Sequence, residues 1–454
     1  MTDNYEALKP LPPPNWRFRL MFPVWQVFVH LALPFALLFF VVRSRREPLY
    51  RAHFSHRFGF GPVGKKGSVW IFATSLGETR AVSPLIRDLL ARGHDICLSH
   101  SSPAGLSEGK RLFDDPRITH RYVPFDFIWS TWLFLVRLRP SIGLVVEGEF
   151  WPGHLQLANW LGIPILHING NLHENSLRRA KRFWGLRLEI LKRFNAILTK
   201  SEDHRARYLS AGVNPERILI VGELKFDQWV RPDQMESGTR LRSQWAGDRK
   251  TFLIASSVLA EEADLIALVE RLLALKDPPR VIWAPRSQQR FNAVAEALES
   301  KEYHVLRRSN ALSESCEGEL APSADILVAD SIGEMNIWYQ MADLVFVGAT
   351  LADKGGHNIS EPLALARPVV IGPSIYGITF PALVAANEGA VRIVKSAEEL
   401  SDEVTGFLED NCALKEFTTK ASSFADRHVG ATARTVNIIE KFLALRHANR
   451  VRSE

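Results

Sequence analysis

Short continuous apolar runs, each ended by glycine, proline or a small polar residue, set the rhythm of this chain. The first half holds Val69 to Thr74, Ile96 to His100, Ile142 to Val146, Ile163 to Ile168, Ala196 to Thr199 and Ile218 to Val221. The second holds Thr251 to Ala255, Arg280 to Ala284, Ile326 to Ala329, Leu344 to Val347 and Pro368 to Ile371. Runs without polar alternation are expected of strands buried on both faces. Amphipathic stretches lie between them, among them one reaching Ala91 and one rich in Ala, Leu and Glu from Glu261 to Leu275. Strand alternating with helix predicts an α/β protein with mainly parallel sheets. The pattern restarts after Asp233, which predicts two doubly wound halves with the deepest cleft expected between them.

The N-terminus departs from this rhythm. Residues 1–19 are proline-rich and polar and are expected to form a flexible tail. Leu20 to Val42 is 23 residues long and holds no acidic or basic side chain apart from His30. That length suffices to span a bilayer core of roughly 30 Å. Pro23, Gln26, His30 and Pro34 interrupt it. Arg17 and Arg19 precede it, and Arg43, Arg45, Arg46 and Arg51 follow. For a spanning helix, the heavier positive load on the C-terminal side places the body of the protein in the cytoplasm. No small-residue cleavage site follows, which argues against a removable signal. Three readings stand: a spanning anchor, a helix lying in the interface, and a buried core helix. The expected division is a tail over 1–19, an anchor over 20–43, a first half over 44–232 and a second over 233–454. The last helix, from about Thr432 to Ala448, is free to pack back on the first half.

Composition adds limits. Hydrophobic residues at 46% and charged residues at 23% are those of a globular protein. A formal charge of +6 fits an anionic partner such as a phosphorylated lipid or a membrane surface. No nucleic-acid module is present in the sequence. Cys97, Cys316 and Cys412 are far apart, as in a protein of a reducing compartment without structural disulfides. There is no HExxH, clustered Cys/His or Asp-x-Asp pattern, so neither a tight metal site nor a resident cofactor is expected.

The candidate chemistry sits at the ends of the apolar runs, where open α/β sheets bind ligands. The stretch Asp343 to Pro362 organises the rest: a buried run, a break at Gly348 and Gly355-Gly356, then His357, Asn358, Ser360 and Glu361. An ordinary capped βαβ turn would also carry glycines. The polar cluster adds groups, Asn358 and Glu361 above all, able to bind sugar hydroxyls. Ser75, Gly77 and Glu78 follow the first run. Glu78 there is either a partner for the helix dipole or a general base. Glu147 and Glu149, two apart at a strand end, are expected on opposite faces. Leu177 to Phe194 reads as one helix, whose many arginines and lysines suit either anionic headgroups or plain solvent. Lys225, in Gly222-Glu-Leu-Lys-Phe-Asp227, is a candidate phosphate ligand or a surface lysine. Arg286 is a candidate phosphate or carboxylate clamp. The turn Ser331-Ile-Gly333-Glu334 offers backbone N–H groups to an anion.

Taken together, Ser75-Leu-Gly-Glu78, Glu147-Gly-Glu-Phe-Trp-Pro152, Gly222 to Asp227, Pro285-Arg286, Asp330 to Glu334 and Gly355 to Pro362 resemble the bacterial Kdo transferases in order and spacing. So does Tyr50 to Gly59 behind the apolar N-terminus. These enzymes of glycosyltransferase family 30 add 3-deoxy-D-manno-octulosonic acid (Kdo) to a lipid A precursor. The resemblance implies a GT-B fold of two Rossmann-like halves. It implies an acceptor-binding first half, with Ser75, Gly77 and Glu147 on the acceptor side, and a second half for the donor CMP-Kdo. It implies Glu78 as general base of an inverting, metal-independent transfer. It implies donor contacts at Lys225, Arg286, Ser331, Gly333, Glu334, Asn358 and Glu361. It further implies lipid A precursor, CMP-Kdo and membrane lipids as partners, at the cytoplasmic face of the inner membrane. The chain departs from the family where Ser256-Ser-Val258 replaces Ser-Thr-His and where Asn169-Gly-Asn-Leu replaces Asn-Ala-Arg-Leu. Two alternatives remain: a GT-B transferase or epimerase using another nucleotide sugar, and a non-catalytic paralogue.

Overall fold

The computed structural model describes residues 10–45, 47–148, 150–172, 174–182, 186–227 and 232–451. The chain forms two units, one of residues 1–228 with 430–454 and one of residues 229–429. Unit 1 holds strands β1 (Val69–Phe72), β2 (Ile96–His100), β3 (Ile118–Tyr122), β4 (Ile142–Val146), β5 (Ile165–Gly170), β6 (Ala196–Thr199) and β7 (Ile218–Ile220). They pair in the order β3-β2-β1-β4-β5-β6-β7, all parallel. Unit 2 holds β8 (Thr251–Ser257), β9 (Arg280–Pro285), β10 (Val305–Arg307), β11 (Ile326–Val328), β12 (Leu344–Val347), β13 (Val369–Ile371) and β14 (Val391–Ile393). Its order is β10-β11-β9-β8-β12-β13-β14, again parallel.

In each sheet the connections run outward in both directions from the middle, except that β10 takes the edge of the second sheet and β11 returns between β10 and β9. The topological switch points fall between β1 and β4 and between β8 and β12. Such points open a crevice at the carboxyl ends of the strands. Glu78 and Glu147 follow β1 and β4, and the glycine stretch follows β12.

Three strands were not apparent in the sequence: β3, β10 and β14. All three are sheet edges. An edge strand is relieved of double-sided burial, so its polar residues break the apolar run. Thr119 and His120 do this in β3, Arg307 in β10 and Arg392 in β14, whereas Arg121 is buried and donates to Pro62 O at 2.9 Å and Phe60 O at 3.0 Å.

Helix boundaries also differ from expectation. The N-terminal helix runs from Trp16 to Ser44, and the flexible tail expected to reach residue 19 ends sooner. Asn15 caps the helix, its side chain accepting from Phe18 N at 2.9 Å, which lets Trp16 to Arg19 join the helix. This helix is long and apolar enough to cross a membrane. Of the basic stretch expected as one helix, Glu174–Arg182 and Leu186–Leu191 are helical, and residues 183–185 lie outside the described residues. Arg193 beyond it is buried and donates to Pro12 O at 2.8 Å, so that cation does not face a surface.

The last helix, Ala431–Val451, belongs to unit 1. Ala431, Val436, Ile439 and Phe442 enter the core beneath β1 and β4. Arg434 Nε donates to Val221 O at 2.8 Å, and Arg446 Nη1 to Pro140 O at 2.7 Å. Asp227 receives Gly430 N at 2.7 Å and also Thr432 N, placing a carboxylate on the helix N-terminus. Asp227→Ala is expected to lower the stability of unit 1 by about 1–2 kcal/mol, the worth of a lost cap. Hydrogen exchange should show faster opening of residues 431–442 while unit 2 is unchanged.

Candidate active site

β1 ends at Phe72, and the chain turns through Thr74 and Ser75 into the helix Leu76–Ala81. Ser75 caps it, accepting from Glu78 N at 3.3 Å. Glu78 therefore lies in the first turn, where the helix dipole favours a carboxylate. Its half-buried side chain folds back on Thr74. Thr74 N donates to Oε2 at 2.6 Å, and the Thr74 hydroxyl lies 2.8 and 2.9 Å from the two oxygens. These bonds orient the carboxylate. Thr74 fixes the Glu78 side chain, and the sequence did not single it out. Its one signal was its place four residues before Glu78. Gly77 is exposed, and a Cβ there would come no closer than 3.9 Å to Ser75 Oγ.

Glu147 does not sit on a strand face. β4 stops at Val146, and Glu147 has φ of 54°, a left-handed turn that ends the alternation. The opposite-faces argument for Glu147 and Glu149 therefore fails at Glu147, and Glu149 lies outside the described residues. Glu147 Oε1 receives Asn169 Nδ2 at 3.0 Å, Lys200 Nζ at 3.4 Å and Lys225 Nζ at 3.5 Å. Lys200 also pairs with Glu223 at 2.7 Å, and Asn169 Nδ2 lies 2.9 Å from Glu223 Oε1. Lys225 thus lies in unit 1 with a carboxylate partner. Burial alone would raise the Glu147 pKa, but Lys200 and Lys225 together hold it at about 2. Glu223 is also lowered, against its burial, chiefly by Lys200.

In unit 2, Glu261 does for the backbone what Lys200 does for carboxylates. Its side chain is buried and accepts from Ala349 N at 2.8 Å, Thr350 N at 2.9 Å, Leu351 N at 2.9 Å and Ala352 N at 3.2 Å. The loop leaving β12 is wrapped around one carboxylate. Gly348 is required at its start, because a Cβ would lie 2.6 Å from Ser256 O and 2.9 Å from Glu261 Oε2.

Beyond that loop, Asn358 Oδ1 accepts from Ser360 N and its Nδ2 donates to Glu361 Oε1, both at 3.0 Å. The two predicted residues are joined and fold the turn into the helix Ser360–Ala364. Arg286 follows β9, its backbone N donating to Ser257 O at 3.1 Å. Its guanidinium is exposed and pairs with no carboxylate among the described residues. His357 is half-buried, and its Nε2 is buried with no hydrogen-bond partner among those residues. Burial and then Arg286 lower the His357 pKa, so the ring is neutral at neutral pH. A guanidinium and an unpaired imidazole nitrogen within each other's field suit a phosphate. His357 joins the candidates here on this geometry, since its place after Gly355-Gly356 was its one signal in the sequence.

Glu334 is placed differently. Arg308 grips both its oxygens, at 2.7 and 2.5 Å, and Ser331 Oγ donates to it as well. Gly333, at φ of 88°, gives its carbonyl to Gln234 Nε2 at 2.9 Å. These side-chain bonds shape the turn.

Glu261→Gln is expected to cost about 1–3 kcal/mol or more, since an amide N–H₂ would confront backbone donors. Hydrogen exchange confined to 348–353 should rise first. A second outcome concerns acid. The stabilisation from Glu147 is complete above its unfolded pKa near 4.5 and is lost as pH falls towards 2. Lys200→Met should move that loss to higher pH, as the buried Glu223 and the part-buried Glu147 lose a shared counter-ion and keep only Lys225 nearby. Melting curves of both proteins from pH 7 to pH 3 test this.

The family described as 3-Deoxy-D-manno-octulosonic-acid transferase (kdotransferase) matches residues 52–228. A 3-deoxy-D-manno-octulosonic acid transferase of Bordetella pertussis is 31% identical over 401 residues, covering 86% of this chain and 91% of that protein. One from Haemophilus influenzae is 26% identical over 439 residues, covering 94% and 99%. Among solved structures, the UDP-GlcNAc 2-epimerase from Neisseria meningitidis bound to UDP-GlcNAc superimposes with a TM-score of 0.57 at 14% identity, over 82% of this chain and 100% of that one. That last likeness concerns fold alone.

Proposed function

The chain belongs to the 3-deoxy-D-manno-octulosonic acid transferase family and is a GT-B glycosyltransferase, and we propose that it moves Kdo from CMP-Kdo to a hydroxyl of a lipid A precursor. Glu78 is the general base in this reading. The observation that supports it most is the carboxylate held on Thr74 at the carboxyl end of β1. As the acceptor O–H gives its proton to Glu78, the oxygen bonds to the anomeric carbon of Kdo. The bond from that carbon to the phosphate oxygen breaks, and CMP leaves with the electron pair. Attack opposite the leaving group inverts the anomeric centre.

Unit 2 holds the donor. Arg286 and His357 take the phosphate, whose charge grows as the bond breaks; preorganised donors at such a point supply much of a rate enhancement. The turn Ser331 to Glu334 and the pair Asn358–Glu361 line the rest of the donor site. Ser75, Gly77 and Glu147 serve the acceptor side. Lys225 shares Glu147 with Lys200 and is a donor contact in this reading. The reaction uses these fixed charges and no resident metal. We place the enzyme at the cytoplasmic face of the inner membrane. Three free cysteines, two of them buried, suit that reducing compartment.

The test is transfer from freshly generated CMP-Kdo to a tetraacyl lipid A precursor in detergent, with product resolved by mass. One Kdo mass added is the expected result. Glu78→Gln should reduce turnover by at least 10³-fold with CMP affinity kept, whereas Arg286→Ala should weaken CMP binding about 10-fold or more. Near-normal turnover by Glu78→Gln would remove it as the base. Preference for a uridine over a cytidine nucleotide would move the enzyme to another donor.

A further inference from the structure

The N-terminal helix has the length and apolarity of a membrane span, but its two ends are fastened to one folded unit. Ahead of the helix, Arg217 Nη2 donates to Pro10 O at 3.3 Å and Arg193 Nη1 to Pro12 O at 2.8 Å. Asn15 Nδ2 donates to Glu189. Arg217, Arg193 and Glu189 are themselves buried in unit 1. At the far end the Phe40 ring lies 5.6 Å from Phe54 and 5.9 Å from Phe125, with the Arg57 guanidinium 4.5 Å above it. Ser44 is buried. A spanning helix must put its ends on opposite sides of the bilayer, and here both ends meet the same body.

The middle is fastened too. Trp25 Nε1 donates to Asp126 Oδ2 at 2.7 Å, and Gln26 Nε2 to Asp126 O at 2.9 Å. Ile128 N donates back to Gln26 Oε1 at 3.1 Å. The His30 ring lies 4.5 Å from Phe127. Gln26 and His30, polar interruptions for a span, are docking residues. The longest free stretch is residues 31–39, about 14 Å at ~1.5 Å per residue. A bilayer core needs roughly 30 Å.

The opposite face is bare and apolar. Leu20, Val24, Val27, Leu31, Phe35 and Leu38 recur at helical spacing, with Leu31 70% and Phe35 75% exposed. Trp160 packs against Phe22, and Trp129 stacks on Phe127, so exposed indoles flank the helix. Indoles favour the level of lipid headgroups. Arg17, Arg19, Arg43 and Arg45 are exposed at the two ends of the stripe, where they meet anionic headgroups while the stripe enters the acyl boundary by about 5–10 Å.

We propose that this helix lies in the plane of one leaflet of anionic phospholipid, apolar face down, and does not cross it. Unit 1, with Glu78, is thereby seated on the leaflet. The inference does not depend on which sugar is transferred.

Sidedness tests it in the full chain. Cys97 and Cys316 are buried and Cys412 is exposed, so Cys412 natively reports the side of the body. Pro13→Cys in a Cys412→Ala background reports the side ahead of the helix. Both are treated with a membrane-impermeant maleimide in sealed inside-out and right-side-out vesicles. The expected result is that both thiols react in the same vesicle orientation. Reaction in opposite orientations would overturn the proposal in favour of a span. Flotation with purified protein is the second readout. Vesicles of phosphatidylethanolamine and phosphatidylglycerol should bind it at least 10-fold more tightly than phosphatidylcholine alone, and Leu31→Glu with Phe35→Glu should abolish the binding. Both residues are exposed, so folding, followed by circular dichroism, is kept. Binding unchanged by the double substitution, or none to either vesicle, would also overturn it. Neither measurement involves transfer activity, so failure here leaves the enzymatic reading standing.

Discussion

Parallel strands buried on both faces end in the interior, and the backbone groups and charges gathered at their carboxyl ends cannot turn to water. An unpaired buried polar group costs on the order of 1–3 kcal/mol, so each sheet needs internal partners there. Unit 2 uses one carboxylate: Glu261 collects the N–H groups of residues 349–352 and binds the end of β8 to the end of β12. Unit 1 uses a charge network, with Lys200 between Glu147 and Glu223 and Asn169 bridging both. Each device sits beside a topological switch point.

This arrangement makes the site rigid before any substrate arrives. Glu78 is held by Thr74, and the Asn358–Glu361 pair is fastened to its helix start. Groups that hold a fixed geometry need no reorganisation as charge develops. Among the described residues, Arg286 and the buried nitrogen of His357 have no carboxylate partner, which is why the proposed reading gives them the donor's phosphate. Glu334 shows the contrast. A conspicuous acidic residue in a ligand-type turn is gripped on both oxygens by Arg308, so its effect on a ligand passes through the shape of the turn.

The central strands were legible because double-sided burial leaves an unbroken apolar run, and the strand-end loops because glycine and clustered polar residues interrupt it. The edge strands β3, β10 and β14 were hidden by the polar residues that an edge tolerates. Long-range partners were hidden more deeply. Nothing near Glu261 in sequence points to residue 349, and nothing near Asp227 points to the helix beginning some two hundred residues later. Thr74 and His357 needed coordinates, because a threonine or histidine has a role only once its neighbours are known.

By itself the sequence determined the α/β class, the two-part organisation, the family and the set of residues from which a site is built. Apolar periodicity and motif order are local properties, written into the chain before it folds. Only the tertiary structure decided which charges are spent on one another and which remain open to a ligand. It seated both ends of the apolar N-terminal helix on one unit, where length and composition alone allowed a span, an interfacial helix or a core helix. Pairing and burial depend on partners distant in sequence, and those are assigned only when the sheets close.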